Sequence, residues 1–237
     1  MNAFSLRVQK WSVNSKISAT FGVTASLRKR GDMAPAGYDK LTTKGRATRD
    51  RIVAAASELM LERGVARTTI EDIQEAADIS TSQMYHYFAD KNDLVTAVID
   101  FQTDQVLGGQ HLGLDRIESI EDLYRWRDMM VNIVRDQSGA GGCPLGSMAS
   151  ELSECDPVAR ARLAQSFAQW ESMIHDGLVA IVARGELPEG TDINRIALAF
   201  LAGIQGGLLL SQVRRETAPL EAAVDTMIEH LSRLGMR

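Results

Sequence analysis

The side chains best suited to recognition stand together in the run Ser80-Thr-Ser-Gln-Met-Tyr-His-Tyr87. Every one except Met84 can form a hydrogen bond, and none is acidic, so nothing in the run repels a phosphate. Gln83 carries the donor–acceptor pair that matches adenine bidentately, whereas the hydroxyls of Ser80, Thr81 and Ser82 donate or accept indiscriminately. His86 adds a polar ring, and the Tyr85 and Tyr87 hydroxyls and the Lys91 ammonium suit phosphate oxygens, which fix position and carry no sequence information. Thr68 and Thr69 stand where a helix start presents free N–H groups to an anion. Lys44, Arg46 and Arg49 supply further cations upstream.

Other chemistry is thin. Histidines 86, 111, 175 and 230 are scattered without a metal-binding spacing, so no metal or cofactor is expected. The segment Gly139-Ala-Gly-Gly-Cys-Pro-Leu-Gly146 resembles a phosphate loop, but no Lys-Ser or Lys-Thr follows, and Pro144 removes an N–H. Cys143 is either an inert buried thiol or a sensor thiol activated by a helix start. No constellation for catalysis is present, and the chain reads as a non-enzyme. Cys143 and Cys155 are too few for a disulfide framework and fit a reducing cytoplasm.

The elements that must position the polar run are short helices. Ile52, Val53, Ala56, Leu59 and Met60 form an amphipathic stripe that Gly64 ends. Thr69 opens a second helix with Ile70, Ile73, Ala76 and Ala77 on one face, and Asp78-Ile-Ser80 breaks it. Ser80-x-x-Gln83 has the form of a capping box and starts a third helix, to about Phe88, with Met84 and Phe88 inward. Asp90 caps a fourth through Leu94, Val95, Val98 and Ile99. Two short helices across so tight a turn form a helix-turn-helix, whose second member enters the major groove. Spacing alone leaves a three-helix packing unit without nucleic acid equally open.

Charge is distributed unevenly. The 237 residues carry a net −5, yet residues 1–51 hold 11 Lys/Arg against three Asp, a net +8. Residues 1–44 lack periodicity and read as a disordered basic arm, or as an over-extended start with Met33 as initiator. From Lys44 to Lys91 seven bases face eight acids, so DNA binding requires the cations to gather on the groove side. No uncharged apolar run is expected to reach the ~18–20 residues of a membrane span, which argues against a membrane partner.

The run Thr69-Ile-Glu-Asp-Ile-Gln-Glu-Ala-Ala-Asp-Ile-Ser80 and its continuation through Tyr85, Phe88, Lys91 and Leu94 resemble the DNA-binding domain of TetR-family transcriptional regulators. Asp78 in the usual glycine place, Gln74 for a small residue and Tyr87 for the common histidine depart from the pattern. Asp tolerates a left-handed turn residue, so the turn is expected to survive. The resemblance implies a DNA-binding domain over 45–106 and a palindromic double-stranded operator. It also implies a homodimer and a small-molecule inducer, the regulator most often being a repressor.

Residues 107–237 read as a larger helical body for ligand binding and dimerisation, making an all-α chain of about nine helices. Gly108, Gly109 and Gly113 mark a connection, Ser119 and Asp156-Pro157 open helices, and Thr191 or Asp192 and Thr217 open the last two. Gly-Cys-Pro-Leu-Gly followed by Met-Ala-Ser-Glu-Leu resembles a carboxy-terminal domain of the LmrA/YxaF type. The hydrophobic inducer is then expected among Trp126, Met130, Met148, Phe167, Trp170, Met173, Ile174 and Phe200, with core packing as the alternative at each. Small residues Ala199, Ala202, Gly203 and Gly206, with Leu210, Val224, Met227 and Leu231, are expected at an isologous dimer interface. A Cys143 redox regulator and a helical interaction module without DNA binding remain the alternatives.

Overall fold

Among the described residues, 41–236, the computed structural model has nine helices and no strand. They are α1 (Thr43–Arg63), α2 (Ile70–Ala77), α3 (Thr81–Tyr87), α4 (Lys91–Leu114) and α5 (Ile120–Asp136). After them come α6 (Pro144–Leu152), α7 (Pro157–Ala183), α8 (Ile193–Arg214) and α9 (Ala218–Gly235). The expected arm lies outside the described residues except for its last four, where Thr42 accepts the Gly45 N–H at 3.1 Å and starts α1.

Local punctuation sets the boundaries. Thr69 with Asp72, and Ser80 with Gln83, close reciprocal capping boxes at the starts of α2 and α3. Asp90, Ser119 and Asp156 accept first-turn N–H groups of α4, α5 and α7. Asp78 adopts the left-handed conformation at φ 49°, ψ 60°, as its place in the turn requires. Gly64 ends α1 at φ 87°, ψ 156°, a backbone region that essentially only glycine occupies.

Ile52, Ala56, Ile73, Met84, Phe88 and Leu94 lock α1–α3 and the first half of α4 into one core. Ala76 is exposed, contrary to expectation, because the eight-residue α2 turns only Ile73 and Ala77 fully inward. In the body, α7 packs on α4 and α8, while α9 packs on α8 and α5. Trp126, Trp170, Phe200 and Ile204 sit in that second part of the core.

The glycines at 108, 109 and 113 do not break the chain, because α4 runs through all three. Each Gly costs about 1 kcal/mol relative to Ala in a helix, but Leu107 and Leu114 are buried around them. Gly113 also lets α5 approach, since a Cβ there would stand 2.7 Å from Trp126 Cδ1. The expected boundary at 106/107 therefore falls inside one helix. Contrary to expectation, α8 is long and apolar enough to cross a membrane by length and composition. Residues 196–213 contain no charge. Ile196, Ala197, Phe200, Leu201 and Ile204 are buried within the protein, so one face of that apolarity is core.

Candidate DNA-recognition helix and ligand cavity

Met84 and Phe88, 1% and 2% exposed, anchor α3 from below. Thr81, Ser82, Gln83, Tyr85 and His86 consequently face outward, and Tyr85 is 57% exposed, unusual for so large a ring. Tyr87 is half-buried, and its ring meets that of His86 edge-on at 4.9 Å. The cap occupies part of this surface. The Gln83 Oε1 accepts the Ser80 N–H at 2.9 Å, and the Ser80 hydroxyl lies 3.3 Å from the Gln83 N–H. Thr81 donates to Gln74 Oε1 at 3.3 Å, tying α3 to α2.

The surrounding polar residues divide into free and committed groups. Lys44 is exposed, whereas the Arg49 guanidinium carbon lies 5.0 Å above the Phe88 ring centroid, stacked close to the foot of α3. Arg46 is half-buried on the same helix. Two expected phosphate contacts are otherwise employed. Thr68 is fully buried and donates to the Gly64 carbonyl at 2.8 Å. Lys91 donates to the Val65 carbonyl at 2.7 Å. Thr69 is exposed, but its hydroxyl donates to the Asp72 carboxylate at 2.8 Å. The backbone and hydroxyl hydrogen bonds from Thr69 hold Asp72 below its ordinary pKa of 3.8, so a carboxylate already sits at the start of α2.

A cavity of about 110 Å³ lies between α4, α5, α7 and α8 and the loop leading into α6. Its apolar wall includes Val106, Met130, Ile133, Val134, Trp170 and Leu208. Of the eight residues expected to line a ligand site, Met130 and Trp170 do so. Trp126, Met148, Ile174 and Phe200 are instead packed into the core at no more than 2% exposure. Phe167 and Met173 are half-buried against that core and are likewise absent from the wall. Large apolar residues mark burial, and sequence cannot separate a cavity wall from a filled interior.

The cavity also touches Cys143 and Pro144, where α6 begins. Cys143 caps this helix, with the Gly146 N–H 3.4 Å from Sγ, and burial pushes its thiol pKa up despite that hydrogen bond. The thiol is therefore held protonated, which disfavours a nucleophilic sensor. From its penultimate residue, α6 presents Glu151 to the loop between α1 and α2. The carboxylate accepts the Val65 N–H at 2.8 Å and the Ala66 N–H at 2.6 Å. Glu151 was not singled out from sequence, because its partners are backbone groups some 85 residues away.

Residues 52–98 match the family model for bacterial regulatory proteins of the tetR family, and residues 113–227 match the tetracyclin repressor-like C-terminal domain. An uncharacterized HTH-type transcriptional regulator from Lactococcus lactis subsp. lactis is 30% identical, across 80% of this chain and 96% of that protein. The chain belongs to the TetR family. The HTH-type transcriptional repressor DhaR of Mycobacterium sp. (strain GP1) is 24% identical, across 77% of this chain and 91% of its own. A solved TetR transcriptional regulator from Chloroflexus aurantiacus superposes with a TM-score of 0.69 at 27% identity, covering 81% of this chain and 98% of that one. This TetR-family chain is thus a DNA-binding transcriptional regulator, and α2–α3 is its helix-turn-helix.

TetR-family regulators dimerise, and the expected interface divides once burial is known. Ala202, Gly206 and Leu210 are exposed on α8, with Ala199 and Gly203 half-buried beside them. Leu198, Leu209 and Val213 extend this into an apolar stripe, at 55%, 59% and 72% exposure. Of the three residues expected on α9, only Met227 is partly accessible, and Val224 and Leu231 are core residues at 1% and 0%. Their face is used within the chain, where α9 lies against α8 so closely that a Cβ on Gly207 would stand 2.9 Å from Leu220 Cα.

Proposed function

We propose that this protein acts as a homodimeric, ligand-released repressor, with a DNA-binding domain over 45–106 and a ligand-binding and dimerisation domain over 107–237 that share α4, whose residues 102–110 also help wall the ligand cavity. Two copies pair through the apolar stripe of α8, and each α3 enters one of two successive major grooves ~34–36 Å apart on a palindromic operator. Base readout falls to Thr81, Ser82, Gln83 and His86, and backbone contacts to Tyr85, Lys44, Arg46 and Arg49. A small molecule in the cavity favours a conformer in which the two α3 helices are wrongly spaced. A coupling of ~1–3 kcal/mol changes operator affinity about 5–150-fold.

The observation that carries this reading is the exposure of the α3 polar face above its buried Met84 and Phe88 anchors. Support for the ligand link comes from α4, which carries Leu94 in the DNA-binding core and Val106 on the cavity wall. The protein works in the cytoplasm on this reading, its two cysteines being free thiols. Electrophoretic mobility shift on DNA upstream of its own gene tests the binding, which should weaken steeply with salt. Gln83→Glu keeps an acceptor oxygen for the Ser80 cap while placing a carboxylate at the groove, and it should abolish the shift without unfolding α3. No retarded band for the unaltered protein at low salt would overturn the reading.

A further inference from the structure

We propose that the cavity selects an uncharged, single-ring-sized ligand carrying both a hydrogen-bond donor and an acceptor on an apolar body. The inference rests on the cavity being the ligand site and adds the chemistry that it recognises. No Asp, Glu, Lys, Arg or His belongs to its lining. Arg215 reaches the Gly139 carbonyl at the rim, at 3.3 Å, but does not line the cavity. A charged ligand would leave water without a counter-ion, and an uncompensated buried charge is strongly disfavoured.

What the wall offers instead is carboxamide. Gln102, Gln105 and Gln110 come from α4, Gln137 from the end of α5 and Gln212 from α8. Two of these are buried and half committed. Gln102 spends its amide nitrogen on the Ser57 hydroxyl, and its carbonyl oxygen has no partner among the described residues. Gln110 has the opposite remainder, since its oxygen accepts the Trp126 indole N–H at 2.7 Å and its NH₂ is left over. Trp170, on the same wall, has a buried indole N–H with no partner among the described residues. One acceptor and two donors thus lack partners on residues that wall an apolar space. At about 110 Å³ that space is of the order of a cavity that holds benzene, roughly 150 Å³.

Benzamide, benzoate and benzylammonium present one ring with a neutral, an anionic and a cationic head, and titration calorimetry at pH 7 on the full chain compares them. Benzamide should bind saturably, and both ions at least tenfold more weakly. Gln105→Glu places a carboxylate on the wall at a half-buried position with no structural bond to lose, and it should invert the preference toward benzylammonium. Either ion binding the unaltered protein as tightly as benzamide, or a Gln105→Glu variant with unchanged order, overturns the inference and leaves the cavity a ligand site. Absence of saturable binding by all three overturns the cavity as a small-ligand site and the inference with it.

Discussion

Replacing Glu151 by Ala isolates the contact through which α6 holds the DNA-binding domain. Two backbone N–H groups lose a carboxylate acceptor, at 2.8 Å for Val65 and 2.6 Å for Ala66. Their environments differ. Val65 is 6% exposed, so its N–H is poorly placed to recover a water, whereas Ala66 is exposed and rehydrates readily. A hydrogen bond to a charged group contributes ~1.5–3 kcal/mol, and an exposed one toward the lower end of ordinary values, near 0.5 kcal/mol. The expected loss is therefore roughly 2–3.5 kcal/mol. For a chain of this size each kcal/mol moves Tm by about 2–4 °C, which gives a fall of roughly 4–14 °C.

Thermal melts at one fixed protein concentration measure this, because dimerisation makes Tm depend on concentration. Glu154→Ala, on an exposed residue just beyond α6, is the control and should change stability by less than about 0.5 kcal/mol. Glu151→Gln should fall between the two, since its amide keeps one acceptor and turns a donor toward the other N–H. Amide exchange at Val65 and Ala66 should accelerate in the Ala variant. If Glu151→Ala melts within a degree of Glu154→Ala, the carboxylate contributes nothing and the reasoning from its two hydrogen bonds fails.

Three other perturbations test separate parts of the structure. Leu209→Glu on the exposed stripe of α8 should convert the dimer to monomer in sedimentation experiments without lowering helix content, and an unchanged mass would place the interface elsewhere. A thiol titration of the native protein should modify the exposed Cys155 rapidly, while Cys143, buried and with its pKa raised, should react only on unfolding. Asp122 is held below 3.8 chiefly by the Ser119 hydroxyl. A depressed carboxylate contributes stability above its unfolded pKa and loses it as pH falls through the lower folded value. Asp122→Asn should accordingly lose less Tm than the unaltered protein between pH 5 and pH 2, and parallel losses would contradict that assignment.

What was legible in the sequence was whatever short-range chemistry decides. Ser80 and Gln83 lie within one turn of each other, so their capping box and the start of α3 follow from spacing alone. Asp78 takes the left-handed turn for the same local reason. The glycines of α4 misled because propensity is a weak local preference, and burial of Leu107 and Leu114 across the chain overrides it. The interface on α9 misled because Val224 and Leu231 have the types expected both of a core and of a contact. Thr68 and Lys91 illustrate the remaining gap. Each has chemistry suited to a phosphate, yet each is used by the carbonyls of Gly64 and Val65, beside the N–H groups that Glu151 takes. The backbone between α1 and α2 thus draws on three polar side chains, Thr68 of the loop itself, Lys91 from the start of α4 and Glu151 from α6, because the buried part of that loop must satisfy its own polar groups. Such demand is invisible in a list of side chains, since the competitor for a phosphate-binding residue is the backbone itself.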